Sequence, residues 1–276
     1  MLMKTSFTKM SGAGNDFVVI DNRSNAIADA CAFAKRACDR RWGVGADGLL
    51  LIENSTKADY RMMYYNADGS YGGMCGNGGR CISYLAHAKN ISQKKHRFEA
   101  LGHIYEAEID GALVNLLMRD PVALRRNVLL QKSPGRIIGH YIDTGSPHVV
   151  IPFPQLRKLF QNLESVPVEG LGRKFRHNRH FYPNGANINF VEKVGAKTLR
   201  IRTYERGVEG ETLACGTGAI ASAIVGSLVW KMSPPITIVP ASSVNLTVSF
   251  DRIAETICRV RLEGPVEVTF EGEINV

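Results

Sequence analysis

Apolar residues fall into short runs along this chain, and most of the runs predict strands. Phe17-Val18-Val19-Ile20, Leu49-Leu50-Leu51-Ile52 and Tyr60 to Tyr65 stand in the first half. His148-Val149-Val150-Ile151, Asn187 to Val191 and Leu199 to Tyr204 stand in the second, and Ser243 to Phe250, Ile257 to Leu262 and Val266 to Phe270 extend the series. Helical spacing follows two glycine-rich stretches: Ile82, Leu85 and Ala86 form one stripe, and Ile220, Ala223 and Ile224 form another. The apolar stretch Ala219 to Trp230 is broken by Ser222, Gly226 and Ser227 and is too short to cross a bilayer, so it predicts a buried helix. Each half therefore reads as several short strands and then one helix.

The halves also resemble each other. Gly45-Ala46-Asp47 and the apolar residues after it match Gly185-Ala186-Asn187, Arg61 to Asn66 match Arg200 to Glu205, and Cys75-Gly76-Asn77-Gly78 matches Cys215-Gly216-Thr217-Gly218, all at a spacing of about 140 residues. Asp120-Pro121-Val122 resembles Gly264-Pro265-Val266 at a slightly larger spacing. Three matches in register predict a duplication into two domains of like fold, with a boundary near Asp120.

Composition removes several classes. With 45% hydrophobic and 22% charged residues among 276, the chain is that of a globular protein, and its 27 glycines predict many turns. Met1-Leu2-Met3-Lys4-Thr5-Ser6 lacks an apolar segment behind its lysine, so a cytoplasmic protein without a membrane span is expected. The formal net charge of +8 would suit a nucleic-acid binder, but the basic residues are mostly scattered. The clusters Lys94-Lys95-His96-Arg97 and Arg173-Lys174-Phe175-Arg176-His177 lie among polar residues and predict solvated surface, with no nucleic-acid partner. Six cysteines with no CxxC pair do not form a zinc or disulfide pattern, so no metal is expected and reduced thiols are. Cys31, Cys38, Cys81 and Cys258 read as packing residues.

Cys75 and Cys215 read differently because each opens a glycine-rich helix start. The first N–H groups of a helix lack intrahelical partners and the helix dipole favours negative charge there. A thiol in that place ionises more easily, and the same donors can hold a carboxylate. Gly76, Gly78, Gly216 and Gly218 allow the backbone to approach closely. Inverting a stereocentre requires removing a proton from one face and returning one to the other, which two thiols flanking an α-carbon in an interdomain cleft would do, one as base and one as acid. The alternative is that both are buried structural cysteines.

These blocks resemble the diaminopimelate epimerases, and the resemblance extends over the whole chain. It is carried by Lys9-Met10-Ser11-Gly12-Ala13-Gly14-Asn15-Asp16-Phe17, Gly43 to Gly48, Asn66 to Ser70, Cys75 to Cys81, Gly145-Ser146-Pro147-His148, Gly185-Ala186-Asn187, Tyr204 to Gly207 and Glu211 to Gly218. It implies an α+β fold of two pseudo-symmetric duplicated domains, each a curved, mainly antiparallel sheet around a central helix. With the last strand returning, the domains are 1–120 plus 265–276 and 121–264. It implies cofactor-independent epimerisation of LL-diaminopimelate to the meso form, in lysine and peptidoglycan precursor synthesis. Cys75 and Cys215 match the acid/base pair, assisted by His148 and Glu205. Gly76-Asn77 and Gly216-Thr217 match binders of the reacting carboxylate, while Asn15, Asn66, Ser146, Asn187, Glu205 and Arg206 match substrate contacts. Some members carry glutamine at the place of Gly48 and asparagine at that of Ser146. Some are homodimers with an aromatic at the place of Phe270.

Two other readings remain open on the residues alone. A racemase or epimerase of the same fold acting on proline, hydroxyproline or histidine would share the cysteine motifs, though it would have little use for Asn66, Asn187 and Glu205-Arg206. A thiol redox protein would normally carry CxxC or a placed resolving cysteine.

Overall fold

Leu49, Leu50, Leu51 and Ile52 are all fully buried, which a strand achieves when both faces of its sheet are covered. In the computed structural model, which describes residues 4–133 and 135–275, they lie in the strand Gly48–Glu53. Residues 1–3 and 276, the outer ends of the first expected domain, lie outside the described residues. The chain divides into two compact units, Met1–Leu117 with Glu263–Val276, and Met118–Leu262.

In the first unit the strand Glu267–Asn275 pairs antiparallel with Lys4–Gly12, which pairs antiparallel with Asn15–Asp21. Asn15–Asp21 runs parallel to Gly48–Glu53, and that strand antiparallel to Tyr60–Asn66. Tyr60–Asn66 runs parallel to Lys95–Ala100, which continues antiparallel into His103–Asp110 and Leu113–Leu117. Helix α1 (Ala30–Cys38), capped by Asp29 accepting from the Ala32 N–H, lays Phe33, Ala34, Ala37 and Cys38 on Val18, Ile20, Leu49 and Leu51. Helix α2 (Gly76–Ala88) covers the opposite face, where Gly78 comes within van der Waals reach of Leu50 and Met62.

The second unit repeats the succession of pairings. Val122–Gln131 is antiparallel to Ile137–Asp143 and that to Pro147–Pro152, which runs parallel to Asn187–Lys193. Asn187–Lys193 is antiparallel to Thr198–Glu205, which runs parallel to Ile236–Val239, itself antiparallel to Leu246–Ile253. Helix α3 (Val168–Arg176) buries Phe175 with Val149, Ile151, Ile188, Phe190 and Tyr204. Helix α4 (Gly216–Val229) is buried from Gly218 to Ser227, as its uninterrupted small and apolar sequence requires. Among the described residues no helix is long and apolar enough to cross a membrane. The architecture is α+β, in duplicate.

Several sequence expectations change. Each unit holds two α-helices, because α1 and α3 lie on the sheet face opposite the glycine-rich helix. The cluster Arg173 to Arg176 is the end of α3, its basic side chains around a buried Phe175. His96 is buried against Tyr60 in the Lys95–Ala100 strand, so that cluster is only partly a solvated surface. Cys31 is exposed on the first turn of α1 and does not pack, whereas Cys38 and Cys81 are buried. The strand expected from Ser243 begins at Leu246, after a left-handed Ser243.

Register also refines the repeat. Leu50 pairs with Tyr64 below Gly78, and Asn189 pairs with Thr203 below Gly218. The central strands are therefore aligned one residue away from the tripeptide match, so Gly48 rather than Asp47 holds the place of Asn187.

Candidate active site

Each glycine-rich helix begins at a cysteine. Cys75 is the N-cap of α2 (φ −121°, ψ 125°) and Cys215 the N-cap of α4 (φ −122°, ψ 111°), both in the extended conformation of a helix cap, though only the Cys75 side chain accepts from a helix-start N–H. Cys75 O accepts from Gly79 N (2.7 Å) and Cys215 O from Ala219 N (2.9 Å), closing the first helical turns. Gly76, Asn77 and Gly216 are buried at these starts, and Gly78 N–H donates to Cys75 Sγ at 3.5 Å. Among the described residues no group of three or more His, Cys, Asp or Glu side chains is arranged to hold a metal ion.

In the first unit Asn15 meets the helix start. The Cys75 thiol donates to Asn15 Oδ1 at 3.7 Å and Asn77 Nδ2 donates to the same oxygen at 3.4 Å. Asn15 is turned that way by Asp47, whose Oδ2 accepts from its Nδ2 at 2.7 Å. Asp47 belongs to a charged cluster in which Arg40 bonds both Asp16 and Asp47, and Lys9 bonds Asp16 at 2.7 Å and the Gly45 carbonyl. Burial opposes ionisation of Asp16, but Arg40 and Lys9 outweigh it and hold the carboxyl down at about 2. Asn77 is oriented by Arg80, whose Nη2 donates to its Oδ1 at 3.0 Å while Nη1 donates to Gly76 O at 3.3 Å. Arg80 is completely buried, and among the described residues its Nε has no hydrogen-bond partner.

Asn66 is held in a different local network. Tyr64 Oη donates to its Oδ1 at 2.7 Å and its Nδ2 donates to Ser70 Oγ at 2.9 Å. The Tyr64 ring lies in a slot walled by glycines, since a Cβ on Gly48 would sit 2.5 Å and one on Gly72 2.3 Å from it. A side chain at Gly48 is excluded here by this tyrosine.

In the second unit Ser146, His148 and Asn187 converge on the start of α4, with Glu205 and Arg206 at the end of the neighbouring strand. His148 Nε2 lies 2.9 Å from Thr217 Oγ1 and 3.0 Å from Ser146 Oγ, and Thr217 Oγ1 lies 3.5 Å from Cys215 Sγ. Asn187 donates from Nδ2 to Pro147 O (2.9 Å) and Ser146 Oγ (3.3 Å) and accepts the Arg206 N–H at Oδ1 (2.8 Å). Glu205 accepts from Thr212 Oγ1 at 2.9 Å. His148 is fully buried, and desolvation, reinforced by the positive charge of Arg206, pushes its pKa down to about 3. The imidazole is therefore neutral.

Sequence reading misses Asn189 and Thr203. Asn189 Nδ2 reaches His148 Nδ1 at 3.1 Å and Val149 O at 3.2 Å, and its Oδ1 accepts from Thr203 Oγ1 at 3.0 Å. The available signal was a second asparagine two positions after Asn187, on the same face of a strand that is otherwise apolar. Thr144, which bonds Thr217 O at 2.9 Å, and Arg40 carry no signal of their own in sequence, while Lys9 and Asp47 stand in recognisable blocks that do not reveal their ion pairs and hydrogen bonds.

The sequence matches the family model for diaminopimelate epimerase over residues 7–123 and 140–238. It is 42% identical to the diaminopimelate epimerase of Chlorobaculum tepidum, over 97% of this chain and 100% of that protein. It is 39% identical to that of Aquifex aeolicus, over 98% and 97% of the two chains. The fold resembles a Bacillus anthracis phenazine biosynthesis protein of the PhzF family, with a TM-score of 0.72 at 14% identity and 100% of both chains covered. It equally resembles a hydroxyproline epimerase of Agrobacterium vitis, with a TM-score of 0.72 at 13% identity, over 100% of this chain and 94% of that one. At such low identities these two likenesses speak for the fold alone, whereas the matches of sequence are specific: the chain belongs to the diaminopimelate epimerase family.

Proposed function

We propose that this protein interconverts LL- and meso-diaminopimelate, with Cys75 and Cys215 as the paired acid and base. The observation that carries the reading is a cysteine N-cap on a glycine-rich helix in each unit. Open N–H groups at those starts, around Gly76-Asn77 and Gly216-Thr217, suit an α-carboxylate and the enolate charge that grows on it when the α-proton leaves. One sulfur takes that proton as thiolate while the other delivers its own to the opposite face. The roles are then exchanged, and no electrons or cofactor enter the balance.

Asn15, Asn66, Ser146, Asn187, Glu205 and Arg206 serve the polar groups of the substrate. The Arg206 guanidinium is a bidentate fork suited to the distal carboxylate, and Glu205 and asparagine carbonyls are suited to an ammonium group. His148 and Glu205 assist the thiols. We read residues 1–120 with 265–276 and residues 121–264 as copies of one domain, and the protein as cytoplasmic, serving lysine and peptidoglycan precursor synthesis. Phe270, which is 46% exposed and packed edge-on against Phe7, is the residue we assign to a homodimer contact.

The test is α-proton exchange in deuterium oxide. Purified protein should wash deuterium into the α-position of diaminopimelate and not into proline, hydroxyproline or histidine. Exchange into one of those instead would replace the substrate, and undiminished exchange in Cys75→Ser or Cys215→Ser would remove the mechanism.

A further inference from the structure

We propose that Asn189 is the positioning residue that fixes His148 as the neutral Nε2–H tautomer and thereby makes the Thr217 hydroxyl an obligate donor to Cys215 Sγ. The inference rests on the reading of Cys215 as an acid/base group and adds the direction of the hydrogen bonds behind it.

That direction follows from which end of each amide faces which atom. The Asn189 side chain reaches the Val149 carbonyl at 3.2 Å, an atom that only accepts, so its NH2 group must lie there. The same NH2 group is 3.1 Å from His148 Nδ1, so Nδ1 accepts. Thr203 Oγ1, at 3.0 Å from Asn189 Oδ1, supplies the matching donor at the other end. A buried neutral imidazole that accepts at Nδ1 carries its proton on Nε2. That proton points to Thr217 Oγ1 at 2.9 Å and Ser146 Oγ at 3.0 Å, while the Asn187 NH2 group, 3.5 Å from Nε2, has the closer acceptors Pro147 O and Ser146 Oγ for its two protons.

Asn187 is fixed in the same way. Its Oδ1 accepts the Arg206 N–H at 2.8 Å, so its NH2 group faces Pro147 O and Ser146 Oγ. Ser146 Oγ thus accepts from Asn187 and from the shared His148 Nε2–H, which leaves its own proton for Thr217 Oγ1 at 3.2 Å. Both lone pairs of the Thr217 hydroxyl are then engaged, by His148 and Ser146. Its proton is left with one partner, Cys215 Sγ at 3.5 Å. Arg206 is the charged side chain that acts on His148, and it also disfavours the imidazolium that would break this order. A hydroxyl that can only donate favours the thiolate over the thiol at Cys215.

The first measurement is the ¹⁵N spectrum of the imidazoles in the whole protein, with His148 identified by loss of its signals in His148→Gln. Nδ1 should show the shift of an unprotonated nitrogen and Nε2 that of a protonated one at neutral pH. A protonated Nδ1 in the wild type overturns the proposal without any variant. Asn189→Asp places an acceptor beside Nδ1 and should protonate that nitrogen, whereas a bare Nδ1 in the folded variant removes Asn189 from the role. Thr217→Val should leave the tautomer unchanged. It should also raise the midpoint of the pH profile for alkylation of Cys215, followed on the peptide that carries it, by about one pH unit, the worth of one hydrogen bond. Thr217→Ser should restore the midpoint. An unmoved midpoint in Thr217→Val breaks the last link. None of these readouts uses turnover, so a failure of wild-type protein to exchange diaminopimelate would count against the activity and leave the relay standing.

Discussion

The starts of α2 and α4 are built alike and tuned by unlike means. Both present a cysteine cap, a following glycine-rich turn and three strands below. Under Cys75 those strands contribute Phe17, Leu50, Met62 and Tyr64, while at the equivalent places under Cys215 they contribute His148, Asn189, Ile201 and Thr203. The first unit carries its charge inside the helix, as the buried Arg80, where the second has Ile220. The second keeps a neutral histidine in the sheet, linked through Thr217 to the sulfur. Duplication thus preserved the cysteine-capped, glycine-rich helix start and let the side chains behind it diverge. On the proposed mechanism the two thiols take opposite parts, and they need not be tuned in the same way.

The largest effect expected is the loss of either sulfur. Cys75→Ser and Cys215→Ser should each lower kcat for epimerisation by roughly 10³-fold or more, and the double variant should be little worse than either single one, as for groups acting as a unit. A single variant that keeps near-normal turnover would show that one unit suffices and dissolve the comparison.

Acid should separate the units next. His148 is neutral when folded, with a pKa near 3 against 6.5 for the free side chain, so below pH 6.5 the unfolded chain binds a proton that the folded one refuses. Stability attributable to the second unit should fall as pH drops from 6.5 to about 3, by up to about 1.4 kcal/mol per pH unit. Asp16 has the other signature. Its carboxyl, lowered from 3.8 to about 2, contributes on the order of 2 kcal/mol above the unfolded value, lost as pH falls through about 2. Urea midpoints against pH should lose the first slope in His148→Asn and the second in Asp16→Asn.

How much of this was legible in sequence differs between the levels of the structure. The strands Phe17–Ile20, Leu49–Ile52 and His148–Ile151 and the helices after Cys75 and Cys215 were readable because local apolar periodicity decides them. Helix α1 showed only as two cysteines expected to pack, Cys31 and Cys38, and α3 looked like a charged surface because Phe175 is one apolar residue among basic ones. At the site, the cysteines and glycines announce themselves by repetition. Asn189, Thr203 and Arg80 do not repeat: their counterparts are Leu50, Tyr64 and Ile220. Their roles depend on which atom of a side chain faces which neighbour, and that is set by strand register, which no spacing along the chain reveals.

Gly78 and Gly218 offer a matched test of the two platforms. A Cβ on Gly78 would meet the flexible end of Leu50 at 3.1 Å, whereas one on Gly218 would meet Asn189 Oδ1 at 2.5 Å and Cys215 Sγ at 3.4 Å. Gly78→Ala should be close to neutral in chemical denaturation, since relief of the glycine penalty in a helix, about 1 kcal/mol, offsets a small repacking. Gly218→Ala should cost about 1–3 kcal/mol by overpacking and lower kcat by roughly tenfold as Asn189 is pushed away from His148. Equal tolerance at both places would mean that the polar platform is no stiffer than the apolar one.

Arg80 gives the smallest effect and the sharpest contrast. Its guanidinium is held by the oxygens of Asn77 and Gly76, and among the described residues it makes no ion pair. Burial pushes its pKa down while the neighbouring Cys81 and Cys75 push it up, but a guanidinium so basic stays charged. A buried cation costs desolvation, so Arg80→Met should leave stability nearly unchanged or improve it, as replacement of buried charges by hydrophobes often does. What it removes is a fixed positive field near Cys75. The midpoint for alkylation of Cys75 should rise by roughly half a pH unit, with Cys215 unmoved, because α4 carries Ile220 at the place of Arg80. Arg80→Lys separates field from fork: it should keep the Cys75 midpoint near the wild-type value while loosening Asn77, seen as a raised KM with little change in kcat. If both variants leave the Cys75 profile where it was, the buried charge orients Asn77 and does no more, and the difference between the thiols rests on the second unit alone.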